Sequence, residues 1–206
     1  MTNVSSRAGS VAKSRRQAKV SGPRAGRVSR STRARARSTG ELPARLAPDE
    51  TIAIVYRSEN GVDAYVQQIV NATPMQIVEI ERIGVPGFFI KDLSKRMEIP
   101  SSRIFRILGL AKATAEKKAT AGEMIAGRGG QSAIGMVRLL GVAQRIVANS
   151  TADEARDFDA AKWLGLWIER PQPALGGRKP ADLLDTPTGV HVVARLLGAI
   201  ESGAYQ

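Results

Sequence analysis

The sequence predicts an all-α protein in which a helix-turn-helix region precedes a small helical C-terminal region, with a disordered basic arm in front of both. Helix-start signals and apolar residues at helical spacing recur from residue 73 onward, whereas the alternation typical of strands is rare. Basic residues with few apolar neighbours fill the first part of the chain. We therefore expect an arm over residues 1–45, a helical region over 46–150 and a second helical region over 151–206.

The arm carries almost all of the net charge. The 206 residues contain 31 Lys and Arg and 19 Asp and Glu, a formal charge of +12. Twelve of these basic residues and a single acidic residue lie in residues 1–45, so the rest of the chain is nearly neutral. Because the arm has little apolar surface to offset the entropy of ordering, it is predicted to be disordered. It either attaches to a polyanion such as nucleic acid or serves only as a solubility tail.

Composition excludes several classes of protein and weakens the case for others. The absence of Cys excludes a disulfide-stapled scaffold and a cysteine-ligated zinc module. The single histidine, His191, has no neighbouring cluster of metal ligands. No nucleophile–base constellation is visible, so we expect a protein that is not an enzyme and that uses no cofactor or metal. A reducing cytoplasm fits the lack of Cys, and no apolar run approaches the roughly 18–20 residues that span a bilayer.

Residues 127–135 are rich in glycine and could suggest a phosphate-binding loop. The segment lacks the Gly-Lys-Ser/Thr ending of a P-loop, and no predicted strand precedes it as a dinucleotide fingerprint requires. We therefore expect a flexible linker there.

Three helix starts can be located in chain order. Thr73-Pro74-Met75-Gln76 supplies an N-cap, a proline in the first turn and a capping-box glutamine, and Gly84 ends that helix. A second capping box at residues 151–154 predicts a long helix that carries both Trp residues and stops at Pro171. Residues 51–56 form a short apolar run that fits either a strand or a helix.

The third start, at Thr186-Pro187, opens the last predicted helix. Its apolar residues recur at the spacing of one buried helix face, and Gly203 is expected to end it. The residues of this face are Val190, Val193, Leu197 and Ile200.

A helix-turn-helix is predicted within residues 92–108, in the most basic stretch of the folded part. Apolar residues stand where two short crossing helices need a shared core, at Leu93, Met97, Ile99, Ile104 and Ile107. Ser94 is small where the helices would approach, and Glu98 stands where the turn usually prefers glycine.

In this motif the N-terminal residues of the second helix enter the major groove, where Arg pairs with guanine and Ser bonds base edges or phosphates. The alternative is an ordinary helical hairpin whose surface happens to be basic. Lysines beyond the motif could clamp phosphates, or they could form a solvated helix face. The predicted DNA-binding residues are Ser101, Ser102, Arg103, Arg106, Lys95, Lys112, Lys117 and Lys118.

The C-terminal region carries the most distinctive motif of the chain. After Trp163-Leu164, residues 174–186 read Ala-Leu-Gly-Gly-Arg-Lys-Pro-Ala-Asp-Leu-Leu-Asp-Thr. Residues 153–206 closely resemble the toxin-binding domain of the Xre/MbcA/ParS family of type II antitoxins, and residues 75–150 resemble the family's DNA-binding part more weakly. The Arg-rich arm is not part of the usual family pattern, and residues 127–133 lack the Glu-Ser-x-Arg segment that is common there.

The resemblance implies a homodimer that covers the active site of a RES-domain toxin, an enzyme that consumes NAD as an ADP-ribosyltransferase or an NAD-degrading enzyme. It also implies binding to double-stranded operator DNA and repression of the chain's own operon. Toxin contacts are expected at Arg178, Lys179, Tyr205 and Gln206, although Arg178 and Lys179 could be solvated turn charges. The competing hypothesis is a solitary helix-turn-helix transcription regulator whose C-terminal domain only dimerises.

Overall fold

The computed structural model describes residues 54–151 and 153–201, and these form part of one compact unit. The predicted basic arm lies outside the described residues. Within them the chain is mostly helical, which confirms the all-α prediction. The α-helices of this part are α1 Gly61–Val70, α2 Pro74–Ile83, α3 Gly87–Arg96, α4 Ser101–Ile107, α5 Lys112–Ala121, α6 Gly127–Ala148, α7 Ala160–Trp167 and α8 Pro187–Glu201.

Two short strands and four short 3-10 turns complete this part of the chain. Strand β1 (Val85–Pro86) pairs antiparallel with β2 (Met124–Ile125), with Val85 opposite Ile125. The 3-10 turns span Ser58–Asn60, Asp153–Asp157, Pro173–Leu175 and Pro180–Asp182. Residues 54–57 adopt neither helix nor strand, and residues 51–53 of the same apolar run lie outside the described residues.

Helix α6 is the central element, and it corrects the expectation of a flexible linker at residues 127–135. The segment forms the first turns of this 22-residue helix, which packs against α1, α2, α7 and α8. Its glycines serve close packing, because a Cβ at Gly130 would overlap the carbonyl oxygen of Ile125 and one at Gly135 would press into Val190. The run has the composition of a linker, but glycine is required at these positions because the neighbouring atoms leave no room for a Cβ.

The capping box at the start of α2 is confirmed. The Thr73 hydroxyl accepts a hydrogen bond from the Gln76 amide at 3.3 Å, and the Thr73 amide donates to the Gln76 side chain at 2.8 Å. Gly84 ends the helix with φ +86°, a conformation that glycine adopts without a steric penalty.

The predicted long helix from residues 151–154 is wrong. A 3-10 turn occupies Asp153–Asp157, and α7 begins only at Ala160. Asp159 caps α7 by accepting hydrogen bonds from the amides of Ala161 and Lys162, both at 3.0 Å. Arg96 of α3 donates to the same carboxylate at 2.8 Å, so a tertiary ion pair helps to fix the start of the helix at Asp159.

The predicted start of α8 is confirmed. Pro187 is its first residue, and the Thr186 hydroxyl accepts from the Gly189 amide at 3.1 Å. Val190, Val193 and Leu197 are buried and Ile200 packs partly buried against the core, as the predicted stripe requires. The expected end at Gly203 lies outside the described residues.

One hydrophobic core joins the regions on either side of residue 151. Buried side chains of α3 and α4 belong to the same cluster as those of α6, α7 and α8. The predicted boundary at residue 151 therefore does not divide the hydrophobic core. It remains a proposed boundary between a DNA-binding part and a toxin-binding part.

Candidate functional site

Helices α3 and α4 form the predicted pair of short helices, joined by residues 97–100. The five apolar positions expected to form their shared core are all buried, with Leu93 and Ile104 fully so. Ser94 is also buried, and its hydroxyl donates to the Ile99 carbonyl at 2.7 Å and lies 2.9 Å from the Ser101 hydroxyl. These bonds tie the end of α3 to the start of α4 and set the angle at which α4 leaves the turn.

The turn adopts a left-handed conformation at Glu98, with φ +54°, and this is the only positive φ at a non-glycine among residues 54–151 and 153–201. This is the position where the sequence pattern usually has glycine. The Glu98 carboxylate pairs with Lys162 of α7 at 3.0 Å. Glu98 therefore forms an ion pair with the C-terminal region at the position where glycine is usual.

The predicted DNA-binding residues of α4 differ in accessibility. Ser102 and Arg106 are exposed, whereas Ser101 is partly buried and bonded to Ser94. Arg103 is also partly buried, because its guanidinium makes two parallel hydrogen bonds to Glu169 at 2.5 and 2.9 Å. Among these four predicted residues of α4, Ser102 and Arg106 are therefore the two that are exposed.

Glu169, just after α7, is the centre of a small charge cluster. Lys179 lies 3.5 Å from its carboxylate, and Asp182 lies 3.9 Å from the guanidinium of Arg103. The hydrogen bonds from Arg103 lower the pKa of Glu169, and the same bonds raise the pKa of Arg103. The cluster connects the helix predicted to read DNA with the segment predicted to meet the toxin.

We expect Glu169→Gln to lower the free energy of unfolding by about 1–2 kcal/mol at pH 7, since a charge-assisted bidentate contact is lost. The depressed pKa of Glu169 means that its contribution is present above the carboxyl's ordinary value of 4.5 and is lost as pH falls through the folded value. Urea unfolding at pH 7 and at pH 3 measures this: the difference between wild type and variant should shrink on acidification.

The matched control is Glu79→Gln. It breaks an exposed pair with Arg82, which should change stability by at most about 1 kcal/mol. A difference between wild type and Glu169→Gln that is the same at both pH values would contradict the role given to this ion pair.

The predicted phosphate-binding lysines lie in different settings. Lys112 and Lys117 on α5 and Lys95 at the end of α3 are exposed. Lys95 and Lys112 form long ion pairs on their own helices, at 3.8 and 3.9 Å. Lys118 is partly buried and donates to the Met124 carbonyl at 2.7 Å, where it supports β2. The first three are free to move toward a phosphate.

The C-terminal motif forms a compact double turn between α7 and α8. Gln172 pairs with Arg178 through a backbone hydrogen bond of 2.9 Å, and Gly176 and Gly177 adopt φ +64° and +80° at the tip. Three leucines anchor it to the core: Leu184 is buried, and Leu175 and Leu183 pack partly buried on the core.

The turn exposes Arg178, while Lys179 is half-buried beside Glu169. These are two of the predicted toxin contacts. The other two, Tyr205 and Gln206, lie outside the described residues.

An aromatic row extends along α7. Trp167 is buried, Trp163 is half-buried and stacked on it at 5.8 Å between ring centroids, and Phe158 follows at 6.1 Å from Trp163. Phe158 is 44% exposed. The exposed position of Phe158 at the end of this row was not predicted from the sequence.

His191 is exposed on α8. Among residues 54–151 and 153–201, no group of three or more His, Asp or Glu side chains is placed to hold a metal ion. In the same part of the chain, no helix is long and apolar enough to cross a membrane.

Known proteins resemble this chain at two levels. Residues 158–203 match the family described as "Antitoxin Xre/MbcA/ParS C-terminal toxin-binding domain". The chain is also 34% identical over 134 residues to the "Prs ADP-ribosylating antitoxin" of Sphingobium sp. (strain YBL2), which covers 65% of this chain and 83% of the relative. No solved structure matches the chain.

Both matches describe antitoxins, which is consistent with the prediction that the chain is not an enzyme. The matched domain contains α7, the double turn and α8, the elements that carry the distinctive motif. Its partner is accordingly a toxin. The chain is the antitoxin of a toxin–antitoxin system, and it belongs to the Xre/MbcA/ParS family.

Proposed function

We propose that this antitoxin neutralises a RES-domain toxin that consumes NAD, by covering the toxin's active site. The match of residues 158–203 to a toxin-binding domain carries this proposal. The relative from Sphingobium has ADP-ribosylation in its name, and that reaction transfers a group from NAD. The toxin would act as an ADP-ribosyltransferase or an NAD-degrading enzyme, and the antitoxin would contribute occlusion without chemistry of its own.

The toxin would meet the double turn and the C-terminal residues. Arg178 is exposed directly after Gly176 and Gly177, and its backbone carbonyl accepts a hydrogen bond from the Gln172 amide. Lys179 lies beside it, and Tyr205 and Gln206 follow α8. Arg and Tyr are both enriched among the residues that contribute most to the binding energy of an interface.

We further propose that the antitoxin binds operator DNA as a homodimer and represses its own promoter. Ser102 and Arg106 are the exposed polar residues of α4 and are the first candidates for base contact, with Ser101 and Arg103 beside them. Lys95, Lys112, Lys117 and Lys118 would contact phosphates, and the basic arm would add salt-dependent affinity. Two copies suit an operator with two half-sites.

Paired substitutions test the two surfaces separately. Arg106→Ala should weaken operator binding by about 1–3 kcal/mol if Arg106 contacts a base edge, and should leave toxin binding unchanged. Arg178→Ala should weaken toxin binding and leave operator binding unchanged. Fluorescence anisotropy with the promoter fragment and titration with the RES protein from the neighbouring reading frame measure both affinities.

Operator affinity that Arg106→Ala does not change would place the reading surface away from α4. Retained operator binding with no RES protein encoded nearby would instead favour a solitary transcription regulator whose C-terminal domain serves dimerisation.

A further inference from the structure

An open apolar cavity of about 300 Å³ lies where the C-terminal end of α6, the start of α7 and the end of α8 meet. Its walls come from all three elements, and its rim includes the exposed end of the aromatic row. The apolar residues that line it include Ala143, Ile146 and Val147 from α6, Phe158 just before α7, Trp163 from α7 and Ile200 from α8.

Contacts of neighbouring residues fix the aromatic lining of the cavity. Phe158 directly precedes Asp159, whose carboxylate caps α7 and also pairs with Arg96 of α3 at 2.8 Å. Trp163 stacks on the buried ring of Trp167, which fixes the next ring of the row. Phe158 is 44% exposed, so it adds apolar surface to the rim of the cavity. Contiguous exposed apolar surfaces mark contact sites.

We propose that this cavity receives an apolar side chain of the toxin and forms an anchor of the antitoxin–toxin interface. The inference rests on the proposed function above. Phe158 is the first residue of the matched toxin-binding domain, and Ile200 lies three residues before its end, so both ends of that domain converge on the cavity. Tyr205 and Gln206, the predicted toxin contacts, follow Ile200 by five and six residues.

The position of the cavity favours a toxin side chain over a second copy of the antitoxin. Phe158, Trp163 and Ile200 of its lining all fall within residues 158–203, which match a toxin-binding domain. A volume of about 300 Å³ holds one or two side chains, so the cavity is an anchor point within a larger toxin-binding surface.

The test replaces the exposed aromatic residue and, separately, fills the cavity. Phe158→Ala removes its rim, and Val147→Trp occupies its interior. Both variants should bind the RES protein of the neighbouring reading frame at least about 30-fold more weakly than the wild type, the effect of losing an interface hot spot. Isothermal titration gives the affinities, and circular dichroism melting shows that each variant is folded.

Leu166→Ala is the matched control. Leu166 is 54% exposed on the same helix but does not line the cavity, so its loss should leave toxin affinity within about threefold, as expected for a residue away from a hot spot. Operator affinity should be unchanged in all three variants.

Three results would overturn the inference. Unchanged toxin affinity for folded Phe158→Ala removes the anchor. Loss of the dimer in light scattering, with toxin affinity retained, assigns the cavity to a second copy. Tighter toxin binding by Phe158→Ala assigns it to the antitoxin's own residues 202–206 as a competitor. A wild-type chain that does not bind the RES protein at all contradicts the proposed function itself and is recognised before any variant is compared.

Discussion

Replacing Phe89 with alanine is expected to lower the free energy of unfolding by about 3–5 kcal/mol, the cost of a large cavity in a well-packed core. Phe89 of α3 is fully buried and makes edge contacts with Tyr56 at 4.7 Å and with Tyr65 of α1 at 5.3 Å. These three rings join the start of the described chain to α1 and α3. Since domains are typically stable by about 5–15 kcal/mol, the variant should be close to unfolding at 37 °C.

Urea denaturation followed by circular dichroism measures this loss. Phe158→Ala is the control with the same chemical change, and it should cost less than about 1 kcal/mol because its ring is partly in water already. The two variants therefore have different expected phenotypes: Phe89→Ala strongly lowers the free energy of unfolding, and Phe158→Ala keeps the fold and weakens toxin binding. Equal destabilisation by both would contradict the packing described for these rings.

Replacing Gly165 with alanine is expected to destabilise the protein by about 1–3 kcal/mol or more through overpacking. Gly165 lies in α7 against the turn between α3 and α4, and a Cβ there would overlap the carbonyl oxygen of Met97. To relieve the overlap, α7 would have to move away from the turn. That movement would also disturb the pairs of Asp159 with Arg96 and of Lys162 with Glu98.

Gly198→Ala provides the matched control for this prediction. Gly198 is also within a helix, and a Cβ there meets no atom within 4 Å. Alanine should stabilise this position by about 0.5–1 kcal/mol through its lower backbone entropy in the unfolded chain. Thermal melting of the two variants should move the midpoint in opposite directions, and a stabilised Gly165→Ala would show that α7 does not pack closely on the turn.

Much of the fold could be predicted because local sequence signals and packing agree. The α2 capping box, the Thr186-Pro187 start and the spaced apolar residues of the α3–α4 pair each combine a local hydrogen-bonding or periodic pattern with burial of the same residues. The structure of a segment can be predicted when its local sequence signals and its packing favour the same conformation. The double turn also carries local signals, because its prolines fix φ and Gly176 and Gly177 supply the positive φ that the tip requires.

The features that escaped prediction depend on partners far apart in sequence. Arg103 and Glu169 are 66 residues apart, and no periodicity links them. Helix α7 is capped by Asp159 and not by the predicted box at residues 151–154, and Arg96 of a distant helix pairs with that Asp159 carboxylate. The glycines at the start of α6 have the composition of a linker, and only the closeness of Ile125 explains them.

Ion pairs connect the two regions to which the proposed activities belong. Glu169 binds Arg103 of α4 and Lys179 of the double turn, and Lys162 of α7 binds Glu98 at the turn before α4. The proposed toxin contacts on the C-terminal region and the proposed DNA contacts on α4 are therefore connected through these ion pairs. Deletion of the C-terminal region would remove the partners of Arg103 and Glu98 together, so point substitutions are the appropriate way to separate the activities.

The most direct measurement of the proposal that this antitoxin occludes a RES-domain toxin is the rate of NAD consumption by the product of the neighbouring reading frame, with increasing amounts of this antitoxin. Occlusion of the active site predicts that the rate falls to background once the antitoxin saturates the toxin, and that Arg178→Ala shifts the curve to higher concentrations. Full NAD consumption by a toxin that co-elutes with the antitoxin would contradict the account.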